Sequence, residues 1–550
     1  MSDPPIDVSF CLLIATSTSH KRKQVIAALA LPRWVVQTSS RIAQYFSRMA
    51  KRHWIALFAA LAIQLARMGY EFAFKADLLG KAQHLSDIEN GLPMLTTTTT
   101  TWDAVDGPEE GDSDDALPSH HQHLTASGNR TFNVTGRVSR GCTFPARYAD
   151  GTEMETPGFE DFAMLNDTHA VSCAGDLRTL WHPSQDTATM RNGVCALVVL
   201  TYPSVEVHPL SMEGFPSDVA FHPHGMYLRR TSADQPAELY VVNHAYTHGG
   251  ERVDVFRVDA TGRRLAYRGS VASPWLTTHY NGILNALVVA ADGRSFYATS
   301  WMPHPDPPEG RKQTWWWSLA MKARLFLQMV DTKVLWCQLD VAALSPSAPP
   351  VAPFCKVVAT GMIMANGISW AAGGRLVAVA DTVGHSLWLI DACGAEDLPP
   401  TSTCPSREVW LRHAADNLHL EGDVEVVSPP PPETSPSQSV TMRTTLLTGA
   451  IYHVMNAANS LDHRGTSSIR APGGLTRLTL TFSRITAGSA SQGGMRSTLR
   501  LTRLDEEDLV ANNGTYFYGA AGGVIMSEGG TEVAVIGSFK SHGLMTCPLS

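Results

Sequence analysis

The sequence lacks the short motifs of the commonest enzyme chemistries. It has no Gly-x-Ser-x-Gly elbow for a nucleophilic serine, no phosphate-binding loop, no Gly-x-Gly-x-x-Gly turn after a strand and no His-Glu-x-x-His zinc pair. None of the nine cysteines, at 11, 142, 173, 195, 337, 355, 393, 404 and 547, stands in a Cys-x-x-Cys pair, which leaves zinc-ribbon and thioredoxin-like readings without support. Cationic charge is scarce: 43 Lys and Arg against 51 Asp and Glu give a net charge of −8 and no basic face of the kind nucleic acid needs. Long apolar runs are scarce too. The most apolar stretch, residues 54–66, reaches only ~20 Å as a helix, against a ~30 Å hydrocarbon core.

That run suits a signal segment or a marginal anchor, and the residues around it give it a direction. Residues 1–52 carry Lys or Arg at 21, 22, 23, 33, 41, 48, 51 and 52 against Asp3 and Asp7, a bias that holds an N-terminus in the cytoplasm. The expectation is a basic extension (1–50), a signal-anchor segment (51–70) retained in a membrane, and a secretory-pathway remainder facing the lumen or the exterior. An Arg-rich organelle transit peptide is the competing reading. Cysteines and sequons agree with the first. Setting Cys11 aside leaves eight cysteines, an even number; Cys393 with Cys404 and Cys337 with Cys355 are near enough to pair, with buried free thiols the alternative. Asn129, Asn133, Asn166 and Asn513 all open Asn-x-Ser/Thr sequons, and none precedes residue 70.

Residues 71–139 form a low-complexity stalk, with threonines at 96–101, acidic residues after them, and His120, His121 and His123 in a setting suited to adventitious metal binding. From 140 to 550 the texture changes to short β-rich runs, for example 238–243, 253–258, 286–290, 295–300, 375–381 and 386–391, punctuated by Gly, Asp and Pro. This predicts an all-β fold, sandwich or propeller, with the length favouring a propeller. Two stretches depart from it. Residues 315–330, opening with Trp315, Trp316 and Trp317, read as an interfacial helix at a membrane or as a helix packed across the body. Residues 428–474, opening with Pro429 to Pro432, read as an inserted loop.

Chemistry gathers at strand ends. His224, in Phe221-His222-Pro223-His224-Gly225, and His244, in Tyr240-Val241-Val242-Asn243-His244, each follow a short apolar run, where a β scaffold presents groups to a site. Two imidazoles within reach would make a base and its tuning partner, although ordinary loop histidines look the same in sequence. Oxygen-bearing side chains recur at similar places: Glu160-Asp161, Asn285, Asn366 before Gly367, and Asp416-Asn417. Ca²⁺ takes six to eight such oxygens. The alternative at each place is a turn.

In order and approximate spacing these segments, with Phe296-Tyr297-Ala298-Thr299 and the closing stretch through Cys547, resemble the paraoxonase/arylesterase family from about Cys142 to Ser550. The resemblance implies a six-bladed β-propeller whose tunnel holds a catalytic calcium on Glu160, Asn285, Asn366, Asp416 and Asn417. It implies His224 as the base that activates water, His244 as its partner, a Cys142–Cys547 disulfide, and a small-molecule lactone or arylester as substrate. A second, structural calcium would use Asp161 and the Met226 carbonyl; here Ala286 stands where that site wants an acidic residue, so the second ion loses a charged ligand. Rival expectations are a strictosidine-synthase-like or gluconolactonase-like propeller enzyme, and a noncatalytic calcium-stapled propeller that binds lipid or protein.

Overall fold

Runs dense in Val, Ile, Leu and aromatic residues fold as strands because such side chains pack well on a pleated surface, and Gly, Asp and Pro between them close the turns. In the computed structural model the described residues are all-β. The structure describes residues 97–101, 132–133 and, with breaks in connecting segments such as 176–191, 304–323, 394–402, 428–439, 455–470 and 487–496, residues 142–549. Among the described residues the continuous helical elements are two 3-10 turns, Val341–Ala343 and Ala372–Gly374.

Two short strands, β1 (Thr97–Thr101) and β2 (Phe132–Asn133), come first. Six antiparallel meanders follow. The first comprises β3 (Phe159–Asn166), β4 (His169–Ala174), β5 (Val194–Thr201) and β6 (Ser204–Glu213). The second comprises β7 (Pro223–Arg229), β8 (Glu238–Ala245), β9 (Gly250–Asp259) and β10 (Arg264–Val271), and a parallel pairing of β10 with β6 fuses the two into one eight-stranded sheet. The third comprises β11 (Ile283–Val289), β12 (Ser295–Met302), β13 (Thr332–Gln338) and β14 (Phe354–Met362). The fourth comprises β15 (Ala365–Ala371), β16 (Leu376–Asp381), β17 (Ser386–Asp391) and β18 (Ser406–Trp410). The fifth comprises β19 (Ala414–Val426), β20 (Val440–Ile451), β21 (Gly473–Thr486) and β22 (Ser497–Asn512). The sixth has three strands, β23 (Ala520–Glu528), β24 (Thr531–Ser538) and β25 (Met545–Leu549).

Apolar cores lie between successive meanders, so most sheets are buried on both faces. Val171 and Leu197 meet Phe221, Leu239 and Phe256; Tyr240 and Val255 meet Leu287 and Leu335; Val288 and Trp336 meet Val379 and Trp388. Ala378 and Leu389 then meet Leu478 and Phe482, and Leu475 and Val510 meet Ala534 and Met545. The sixth core joins the last meander to the first, with Val524 and Val535 against Phe162 and Val198. The first strands β3, β7, β11, β15, β19 and β23 touch in the same cyclic order, β23 returning to β3. A further tie closes the sixth meander: Thr143 exchanges backbone hydrogen bonds of 2.8 and 2.9 Å with Thr546, beside the Cys142–Cys547 disulfide. Closing a loop of 405 residues contributes ~6 kcal/mol in the chain-entropy picture.

Eight of the nine cysteines are paired. Cys337–Cys355 and Cys393–Cys404 form as their spacing suggests, and Cys173–Cys195 joins β4 to β5, a pairing the sequence did not single out. The segment 428–474 is not one inserted loop, because it contains β20, which pairs along its length with β21. Its threonines are β-branched and, with Met442, Leu446 and Leu447 buried among them, suit a strand. Likewise Thr97–Thr101, within the expected stalk, pairs with β22. The apolar segment 54–66, His120, His121, His123, residues 315–317, Asn129 and Asn513 lie outside the described residues. No helix of the described residues is long and apolar enough to cross a membrane.

First strands approach so closely that small residues are required. A Cβ on Gly225 would meet the Asn285 carbonyl and Ala286, and one on Gly367 would meet the Asp416 carbonyl and the Asn417 Cα. Asn366-Gly367 is therefore not a turn; it lies inside β15, and the glycine is there for clearance. Gly367→Ala should force two backbones apart and cost about 1–3 kcal/mol in denaturant unfolding. A stability equal to that of the parent would contradict this packing.

Candidate active site

Every first strand is irregular near its start. Pairing with the second strand slips between Phe159 and Asp161, Pro223 and Met226, Leu284 and Leu287, Ala365 and Ile368, Ala415 and Leu418, and Ala520 and Gly522. The residues caught in the slips are Glu160, His224, Asn285, Asn366, Asp416 and Asn417, along with Gly225, Ala286, Gly367 and Ala521. A bulge re-aims side chains and leaves backbone groups without ladder partners. Polar side chains fill the gap. Ser172 Oγ donates to the Asp161 carbonyl at 2.7 Å, Thr299 Oγ1 donates to the Asn366 carbonyl at 2.6 Å, Asp416 N–H donates to Thr448 Oγ1 at 3.2 Å, and Asp381 accepts the Ile363 and Met364 N–H groups at 2.9 and 2.8 Å.

These bulges bring all five expected oxygen ligands and His224 into one buried neighbourhood, and β8 brings His244 beside them. His224 Nε2 lies 3.3 Å from Glu160 Oε1 and 3.3 Å from Asn285 Nδ2, and Asn417 Nδ2 donates to the Glu160 carbonyl at 3.1 Å. Asn366 hydrogen-bonds Asp416, whose carboxyl is held well above the usual carboxylate range, first by burial and then by the negative charges of Glu160 and Asp161. His224 Nδ1 lies 2.9 Å from His244 Nε2. Trp301 sets its ring edge-on to His224, with centroids 6.3 Å apart.

Glu160 Oε2, Asn285 Oδ1, Asn366 Oδ1, Asp416 Oδ1 and Asn417 Oδ1 are buried and have no hydrogen-bond partner among the described residues. Buried polar atoms are rarely left this way, because each costs roughly 1–3 kcal/mol, more when charged. Five orphan acceptors on residues from four strands, two of them on carboxylates, want a cation. Two carboxylates and three amides suit a hard ion such as Ca²⁺.

Asp161 differs. Its Oδ2 accepts the Met226 N–H at 2.6 Å, its Oδ1 accepts the Phe162 N–H at 2.9 Å, and His419 Nε2 stands 3.0 Å from Oδ1. Met226 thus presents its N–H to Asp161. Each Asp161 carboxylate oxygen accepts one backbone N–H, and Ala286 brings no oxygen beside it.

Two supports escaped sequence reasoning. Glu251, opposite His244 across the β8–β9 ladder, places its carboxylate oxygens 2.9 and 3.1 Å from His244 Nδ1. Asn243 accepts the His222 N–H at 2.7 Å and donates to the Ala220 carbonyl and to Asp254, which Arg252 holds at 3.0 Å. A Gly-Gly-Glu-Arg string carries no local signal for either role; the alternation of β9 against β8 is the only clue. Of the sequons described, Asn166 is exposed at the end of β3 and Asn133 lies in β2.

No protein-family model matches the chain, and no curated protein matches it. Among solved structures it is similar to a periplasmic gluconolactonase of Pseudomonas aeruginosa, at 12% identity and a TM-score of 0.32 over 83% of this chain and 100% of that one. It is similar to a gluconolactonase of Xanthomonas campestris, at 11% and 0.33 over 75% and 97%, and to a hydrazine synthase of Kuenenia stuttgartiensis, at 11% and 0.29 over 70% and 78%. Likenesses this distant assign no chemistry, which has to come from the side chains.

The orphan oxygens predict a stability effect. Calcium at ~100 times its Kd should stabilise the protein by ~2.7 kcal/mol, seen as a chelator-reversible rise in Tm. Asp416→Asn should raise the stability of the chelated protein by about 1–3 kcal/mol and shrink the calcium effect. A Tm indifferent to calcium would contradict this.

His222 predicts a pH effect. Burial, and then the neighbouring His244, push its imidazole down to about 4 from 6.5. The folded protein thus resists a proton that the unfolded chain accepts, so this contribution is complete above pH 6.5 and is lost as pH falls toward 4. The loss should approach ~3 kcal/mol, and His222→Leu should flatten the Tm profile over that window. Parallel profiles for the two proteins would contradict it.

Proposed function

We propose that this chain is a calcium-dependent hydrolase that opens lactones, with arylesters as secondary substrates, on a six-bladed β-propeller of the paraoxonase/arylesterase kind. The observation that carries the reading is the set of five partnerless oxygens beside His224 Nε2. The cyclic order of cores and first strands favours six blades around a tunnel, with the bulged residues at its axis.

Glu160, Asn285, Asn366, Asp416 and Asn417 would hold the calcium, fewer donors than its usual six to eight, so that room is left for a carbonyl or water. When bound, calcium supplies a Lewis acid for the lactone carbonyl and positive charge for the oxyanion that forms. The remaining work belongs to the chain. His224 Nε2 takes a proton from water as its oxygen bonds to the carbonyl carbon; the ring C–O bond then breaks, and the same nitrogen returns a proton to the departing alkoxide. The product is a hydroxy acid. An imidazole can both accept a proton and return one, which suits both transfers. His244 accepts the His224 Nδ1–H and steadies the charge that appears on His224. No serine or cysteine nucleophile is required.

The four disulfides favour an oxidising compartment, in keeping with the secretory-pathway expectation.

Purified protein with calcium should hydrolyse aliphatic γ- and δ-lactones and lose this on chelation. His224→Gln should lower kcat/KM by roughly 10²–10⁴-fold at unchanged calcium affinity. Calcium binding with no turnover across a lactone and arylester panel would instead select a noncatalytic, calcium-stapled binding module.

A further inference from the structure

We infer that Glu251 is the positioning residue that fixes the tautomers of the His224–His244 pair and ties them to the strand bearing Asn285. This rests on the hydrolytic reading above and deepens it.

The hydrogen-bond directions form one consistent chain. A carboxylate only accepts, and a neutral imidazole has one donor and one acceptor. Glu251 Oε2 and Oε1 lie 2.9 and 3.1 Å from His244 Nδ1, so that nitrogen carries the hydrogen and His244 Nε2 is the lone pair. His244 Nε2 then receives the hydrogen of His224 Nδ1 across 2.9 Å. His224 Nε2 is left as a lone pair, which the Asn285 amide N–H meets at 3.3 Å; Glu160 Oε1 stands at the same distance and, being an acceptor too, fits this tautomer when a cation rather than the imidazole takes up its charge. Only this order points a basic nitrogen at the five oxygens. With the order reversed, His224 would present an N–H and could not take a proton from water.

Glu251 does a second thing. Its Oε1 also accepts the Leu284 N–H at 2.7 Å, and Leu284 is the residue before Asn285. One side chain from β9 therefore fixes both the direction of the imidazole chain and the height of the bulge on β11. It is 2% exposed, so no water competes for either bond. The carboxylate also opposes the positive charge that reaches the imidazoles during turnover, as the third member of hydrolytic triads does.

The test compares Glu251→Gln and Glu251→Asp with the parent. Gln is isosteric and keeps an oxygen for the Leu284 N–H, so the fold is preserved while the charge is removed. In Glu251→Gln, kcat on a δ-lactone should fall ~10²-fold with KM and calcium affinity within about threefold. Glu251→Asp, which keeps the charge on a shorter stem, should recover part of that loss. ¹⁵N spectra of histidine-labelled protein should show both imidazoles as single Nδ1–H tautomers in the parent and mixed tautomers in Glu251→Gln. Unchanged kcat, unchanged tautomers, or a kcat loss that travels with lost calcium affinity would overturn the positioning role. A parent that opens no lactone but shows the expected tautomers would defeat the hydrolytic reading and leave the role of Glu251 in orienting the imidazoles standing.

Discussion

The desolvation of negative oxygen governs this structure. One oxygen from each of two carboxylates and three amide oxygens are buried together without hydrogen-bond partners, and four bulges arrange them. Such a cluster is unfavourable until positive charge enters it, and that cost is what would make the site selective for a cation carrying more than one charge. Where the neighbouring Asp161 could have added to the problem, the chain supplies two backbone N–H groups instead.

Holding such a cluster demands a scaffold that cannot relax. Each meander is packed against its neighbours on both sides, and polar side chains stitch successive bulges together: Asp161 to the Met226 N–H, Glu251 to the Leu284 N–H, Thr299 to the Asn366 carbonyl, Thr382 to the Ala415 carbonyl, and Asn417 to the Glu160 carbonyl. The stitches lie at the residues that carry the chemistry. Closure by Cys142–Cys547 and the Thr143–Thr546 pairing belongs to the same logic, since a ring open at one seam would let the first and last strands drift.

Much of this was legible in the sequence for a physical reason: the site residues sit in short strings whose order follows the strands, so Glu160, His224, His244, Asn285, Asn366, Asp416 and Asn417 could all be named before their proximity was known. What those strings could not tell was conformation. Asn366-Gly367 looks like a turn, yet its glycine answers an interstrand clash, visible only when the neighbouring β19 is in place. The threonines around 441–448 look like loop composition, yet they are strand residues whose partners lie on β19 and β21. Glu251 was missed because its role comes from cross-strand register with His244 across a turn, and one acidic residue after two glycines signals nothing by itself.

The central claim is that the five oxygens share one divalent ion. A crystal structure of the protein grown with calcium tests it most directly. The account predicts a single peak about 2.3–2.6 Å from an oxygen of each of Glu160, Asn285, Asn366, Asp416 and Asn417. A map in which these side chains hydrogen-bond one another or water, with no ion among them, would contradict it.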